Sequence, residues 1–155
     1  MVCRVSSLIK LVLRVGARSA MNDKIDWIEI YTDGACRGNP GPGGWGAVVI
    51  TSEGEQELMG SAPDTTNNRM EMTAVIKGLE AIDPHAPVLI SSDSTYVINT
   101  MTKGWKRKAN HDLWEQLDRL VKGRDVSWRW VRGHSGERGN ELADSAATKE
   151  AGTAK

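Results

Sequence analysis

The chain has 155 residues, 39% of them hydrophobic and 26% charged, which suits one domain with its own core; Phe is absent, but six Trp and six Met supply apolar volume. No apolar run is long enough to span a membrane, and the two distant cysteines, Cys3 and Cys36, offer neither a disulfide framework nor a zinc spacing. The formal net charge of zero divides unevenly: residues 1–22 carry four basic and no acidic side chains, leaving 16 basic against 20 acidic residues from position 23 onward. So acidic a body is a poor generic polyanion binder, and nucleic acid would have to be met through a local basic patch or bound metal ions.

The opening segment, "MVCRVSSLIKLVLRVGARSAMN", is basic, Ser-containing and acid-free. It resembles an organelle transit peptide; its apolar pattern also fits a membrane-surface helix, and Met21 also fits an internal start. Residues 1–22 are therefore set apart from the fold as a possible targeting segment or upstream extension, and residues 23–155 are read as a single domain. Strand patterns follow at Trp27–Thr32, Trp45–Thr51 and Glu55–Ser61, with short connections that predict an antiparallel meander. The stretch between the first two, "DGACRGNPGPGG", reads as a glycine-rich turn placed directly after Asp33.

"TTNNRMEMTAVIKGLEAI" offers Thr and Asn caps before a helix with Met72, Val75, Leu79 and Ile82 on one face, ended by "DPHAP". "VLISSD" is an apolar run suited to a buried parallel strand. A helix from Thr95 to Met101, the basic stretch "KGWKRKANHD" and a helix with Leu113, Leu117, Leu120 and Val121 on one face come next. "VSWRWV" places Val126, Trp128 and Trp130 on one strand face and Arg129 on the other, and "NELADSAATKEA" predicts a last helix capped by Asn140. The order predicts an α/β fold: a five-stranded mixed sheet, three antiparallel strands and two parallel ones, flanked by about four helices.

Four carboxylates stand out against these elements. Asp33 and Asp93 end strands, Glu71 lies in the first turns of a helix, and Asp144 lies one turn after Asn140. Singly, each is explained by helix capping or by the positive end of a helix dipole. Jointly, parallel neighbouring strands would set Asp33 and Asp93 side by side, with Glu71 and Asp144 arriving on helices that start at that edge. Four such charges would repel unless a cation lay between them. Oxygen donors without His or Cys suit Mg²⁺ or Mn²⁺, the chemistry of a two-metal phosphodiester hydrolase.

"YTDGACRGNPGPGGWG", "TTNNRMEMTA", "SSDSTYV" and "VRGHSGERGNELAD", in this order and spacing, resemble the bacterial type 1 ribonuclease H family over about residues 24–150. The resemblance implies the ribonuclease H fold and an endonuclease, a hydrolase that cuts the RNA strand of RNA–DNA hybrids to 5′-phosphate and 3′-hydroxyl ends. It implies dependence on Mg²⁺, or on Mn²⁺ in its place, with two ions when substrate is bound, and metal ligands at Asp33, Glu71, Asp93 and Asp144. It places a catalytic histidine at His134, a side-chain type suited to handling protons.

Substrate contacts are implied at Cys36, Asn39, Asn67, Asn68 and Thr95, with Thr66 and Arg69 placed to hold a DNA-strand phosphate. Short polar side chains in glycine-rich surroundings suit the wide minor groove, where the 2′-hydroxyl marks RNA. No base-reading constellation appears, so cleavage is expected to be largely independent of sequence. Many bacterial relatives carry an extra helix and basic loop where this chain has only "INTMTKGWKRKANHDLW"; Lys103, Lys106, Arg107 and Lys108 around Trp105 keep part of that character. Weak, salt-sensitive hybrid binding is therefore expected. A monomer in the cytoplasm, with no membrane contact by the folded domain, is the remaining expectation; the alternative location is an organelle reached through residues 1–22. A hybrid-binding module without cleavage and an integrase-like nuclease are the competing readings, disfavoured by the intact acidic set and by the "TTNNRMEM" and "GHSG" motifs.

Overall fold

The computed structural model describes residues 2–3 and 27–154. Five main strands, β1 (Ile28–Cys36), β2 (Gly41–Thr51), β3 (Gly54–Thr65), β4 (Val88–Ser92) and β5 (Val126–Trp130), form one sheet in the order β3-β2-β1-β4-β5. β1, β2 and β3 pair antiparallel, and β1–β4 and β4–β5 pair parallel. Four helices are found among the described residues: α1 (Asn67–Glu80), α2 (Thr95–Lys103), α3 (His111–Val121) and α4 (Arg138–Thr153). This is the five-stranded mixed α/β architecture expected from the pattern of elements. Among the described residues no helix is long and apolar enough to cross a membrane.

Alternation in the strands builds two cores. Ile28, Ile30, Ala47, Val49, Val88, Ile90, Val126 and Trp128 share the sheet face covered by α1, α2 and α3, which bring Met72, Val75, Leu79, Val97, Ile98, Leu113, Trp114 and Leu117. On the opposite face a smaller cluster of Tyr31, Val48 and Ala143 packs α4. The predicted faces of α1, α3 and β5 are observed, except that Ile82 joins the core from just past the end of α1.

Three expectations change. Val2–Cys3, within the segment set apart from the fold, pairs antiparallel with Trp128 and Arg129 on the outer edge of β5 and adds a two-residue sixth strand; Lys24 and the remainder of residues 4–26 lie outside the described residues. Asn140 does not cap the last helix: α4 begins at Arg138, its cap position is Glu137, and Asn140 is buried within the first turn.

The largest change concerns the glycine-rich stretch, which is strand rather than turn. β1 runs on through Asp33 to Cys36, and β2 starts at Gly41, leaving only residues 37–40 as the connection. Gly38, with φ of 80°, serves the turn at residues 37–40, but Gly34, Gly44 and Gly46 answer to helices. A Cβ on Gly34 would lie 2.4 Å from the Glu71 backbone nitrogen, and one on Gly46 would lie 2.5 Å from the Ala143 carbonyl oxygen. Bare backbone at these two positions lets α1 and α4 close onto the sheet beside Asp33.

Candidate active site

The parallel register sets Thr32 of β1 opposite Ser92 of β4, so Asp33 and Asp93 follow side by side. β4 ends before Asp93, because Ser94 turns the chain: its Oγ accepts from the Val97 N–H at 3.2 Å and caps α2. Thr66 caps α1 in the same way, its Oγ1 accepting from the Arg69 N–H at 3.2 Å, which puts Glu71 in the second turn, on the side packed against Gly34. α4 crosses β1 and β2 from the other face and contributes Asp144.

Asp33, Glu71, Asp93 and Asp144 line one open cleft of about 360 Å³, together with Gly34, Asn67, Asn68, Ser94, Thr95 and Tyr96. One carboxylate oxygen from each of Asp33, Glu71 and Asp93 lies within 4.8 Å of the others. Burial drives all three pKa values upward. Asp33 is pushed up to about 7, its desolvation reinforced by the nearby Asp93 charge and eased by the Gly34 N–H, which donates to Oδ1 at 2.8 Å. Glu71 is raised well above its ordinary range by burial and then by Asp33, and Asp93 is raised by burial while Asn140 and His134 pull it down. Glu71 Oε2 is buried with no hydrogen-bond partner among the described residues. Crowded carboxylates and an orphaned acceptor fit a hard divalent cation, whose charge would reverse each of these shifts.

The other predicted residues fall in three places. Asn67, Asn68 and Thr95 line the cleft with the acids. Asn39, Cys36 and Thr66 sit where the β1–β2 hairpin meets the start of α1: Asn39 Oδ1 accepts from the Asn67 N–H at 2.9 Å, and Cys36 Sγ lies 3.4 Å from the Gly41 carbonyl and 3.3 Å from that of Thr65. His134 is exposed, outside the cleft lining, on the loop between β5 and α4; Gly133 lets that loop approach, since a Cβ there would lie 2.8 Å from Asp93 Oδ2.

The geometry is less direct for the cations. Arg69 is held by both carboxylate oxygens of Asp112, at 3.0 and 2.8 Å, and by Asn110 Oδ1 at 3.2 Å. Arg107, grouped by sequence with the basic cluster, turns inward: it pairs with Asp118 and stacks 4.9 Å above the Trp114 ring. That leaves Lys103, Lys106 and Lys108 exposed around Trp105, which is itself 47% exposed and outside the cleft lining. Asn140, read from the sequence only as a helix cap, instead has a buried amide that bears on Asp93; its i, i+4 spacing to Asp144 on one face of α4 was the available signal.

The sequence profile described as RNase H matches residues 26–152. The chain belongs to the ribonuclease H family. The bacterial type 1 resemblance and the enzyme class that it implied are thereby shown. A curated ribonuclease H of Stutzerimonas stutzeri (strain A1501) is 50% identical over 137 residues, covering 80% of this chain and 91% of the relative. Among solved structures, LC9-RNase H1, described as a type 1 RNase H with the type 2 active-site motif, superposes with a TM-score of 0.74 at 34% identity, covering 87% of this chain and 76% of its own. LC11-RNase H1, solved in complex with an RNA/DNA hybrid, gives a TM-score of 0.65 at 27% identity over 79% of this chain and 97% of its own. Ribonuclease H membership and the acidic triad together point to use of a divalent metal.

Proposed function

We propose that this ribonuclease H cuts the RNA strand of RNA–DNA hybrids internally, with little regard to base sequence, leaving 5′-phosphate and 3′-hydroxyl ends. The reading is carried by the convergence of Asp33, Glu71 and Asp93 in an open cleft that Asp144 also lines. The hybrid-bound LC11 structure supports the substrate class. Asp33, Glu71, Asp93 and Asp144 are the ligands for Mg²⁺, or Mn²⁺ in its place, with two ions when substrate is present. Bound there, the ions would supply Lewis-acid stabilisation of phosphate charge and a nucleophile at neutral pH.

The chain's own residues bind, orient and move protons. Asn39, Asn67, Asn68, Cys36 and Thr95 face the minor groove, where amide, hydroxyl, thiol and backbone groups meet 2′-hydroxyls. The Thr66 hydroxyl, which accepts from its own helix, keeps one donor for a DNA-strand phosphate. Arg69 joins it by exchanging Asp112 for phosphate, an exchange of one bidentate oxyanion for another. His134 takes or gives a proton at the attacking water or the leaving 3′-oxygen, or eases product release. Trp105 and the three exposed lysines lie along the backbone; the shortened loop makes binding weak and salt-sensitive. The enzyme acts as a monomer, in the cytoplasm or, if residues 1–22 serve as a targeting segment, in an organelle.

The test is end-labelled RNA annealed to DNA, beside duplex RNA, duplex DNA and single-stranded RNA, each with Mg²⁺ and with chelator, and Asp93→Asn as the blank. Metal-dependent internal cuts confined to the hybrid's RNA strand are expected. Selective retention of the hybrid without cutting would reduce the protein to a binding module.

A further inference from the structure

The loop that carries His134 is tied down at both ends. At its start the Val131 N–H donates to the Ser92 carbonyl at 3.0 Å, and Trp130 Nε1 donates to the Asp93 carbonyl at 3.1 Å, so β4 and the base of Asp93 hold that side. At its end stands Glu137, which occupies the cap position of α4 yet makes no side-chain capping bond among the described residues. Its carboxylate turns to the sheet instead. Tyr31 Oη donates to Glu137 Oε2 at 2.8 Å, Arg129 Nη2 donates to the same oxygen at 3.1 Å, and Arg129 Nη2 donates to Tyr31 Oη at 2.8 Å. The three groups close a ring in which the hydroxyl accepts from one partner and donates to the other. Arg129 is further held by Ser91 Oγ at 3.1 Å and Glu29 at 3.4 Å.

Between these anchors the backbone is bent, with φ of 56° at His134 and 89° at Gly136. A left-handed histidine is disfavoured by itself and persists where its surroundings impose it. Tyr31 lies two residues before Asp33, on the same face of β1, so the strand that presents a cleft carboxylate also fixes the loop.

We propose that Tyr31, Arg129 and Glu137 are positioning residues for His134, setting its distance from the carboxylate cleft through the base of α4. This rests on the proton-handling role given to His134 above. The decisive measurement is hybrid cleavage by the full chain with Mg²⁺ for Tyr31→Phe, His134→Ala and the double variant, with melting curves for each. Phe keeps the ring that packs on Gly139 and removes only the hydroxyl. Tyr31→Phe should lower kcat about tenfold with KM unchanged, the scale expected when a proton-transfer group is misplaced. In the His134→Ala background it should lower kcat no further. Equal fold losses in both backgrounds, or no loss in either, would overturn the anchor while leaving the role of His134 standing. An unaffected His134→Ala enzyme would overturn both. If Tyr31→Phe fails to fold, the same cycle with Glu137→Gln decides.

Discussion

Replacing Asp33 by Asn should abolish cleavage while making the metal-free protein harder to unfold. Asp33 keeps its proton up to about pH 7 in the fold but only up to about 3.8 in the unfolded chain. The folded state therefore gains from low pH, and that gain disappears as pH rises from about 4 to about 7. A rise of about three pKa units corresponds to a ceiling of about 4 kcal/mol at pH 8. Asp93 and Glu71 share the cluster's protons and readjust when one charge is removed, which brings the expected gain to about 1–2 kcal/mol. In a domain of this size that is about 3–6 °C in Tm. The assay is thermal unfolding with chelator at pH 8 and pH 5, then with Mg²⁺ at pH 8. The gain should appear in full at pH 8 and shrink to about a third of that at pH 5, where folded Asp33 is neutral although the unfolded carboxyl has already ionised. Mg²⁺ should then stabilise wild type more than the variant, since the variant lacks a ligand. A variant that melts at or below wild type at pH 8, or gains equally at pH 5, would refute the crowding of Asp33 by burial and by its neighbours.

Three further outcomes follow from other parts of the molecule. Gly34→Ala should cost about 1–3 kcal/mol by overpacking against the Glu71 backbone, with activity falling far more than urea-melt stability because Glu71 is displaced. Trp114→Ala removes a core ring that is 1% exposed, takes away one of two donors to the Tyr96 hydroxyl and the ring beneath Arg107, and should cost about 3–5 kcal/mol in the same melts. Lys106→Ala and Lys108→Ala should each flatten the slope of log affinity against log salt by about 1 in hybrid anisotropy titrations, with no change in sequence preference; an unchanged slope would remove these lysines from the binding face.

Much of the fold was legible because it rests on periodicity. The faces of α1, α3 and β5, the meander and the buried parallel strand all follow from apolar spacing that the structure obeys. The acidic cluster was legible for a related reason: parallel strands in register carry corresponding residues together, so Asp33 within β1 and Asp93 just past the end of β4 become neighbours without any long-range information. What sequence concealed is what depends on close approach between distant segments. The glycines of "GACRGNPGPGG" carry one local signal for two uses, turning and close packing, and only the arrival of α1 and α4 distinguishes them. The pairing of Arg69 with Asp112, and of Glu137 with Tyr31, joins positions 43 and 106 residues apart. Arg107 looked like a surface cation because nothing local says that Trp114 and Asp118 lie beneath it.

The bare backbone of Gly34 and Gly46 has a consequence for how such a site can change. Side chains that merely touch can be exchanged for others of similar volume, so most of a core drifts freely while its shape survives. Here the two helices that deliver Glu71 and Asp144 rest on the sheet where no side chain exists at all. There is nothing to trim and no room to add, so the separation of the acids is a property of main-chain contact rather than of any replaceable group. Moving one carboxylate would require moving a whole helix, and with it a core. The spacing between the acids is thus inherited with the fold itself, and variation is free to collect in the loops that approach the substrate.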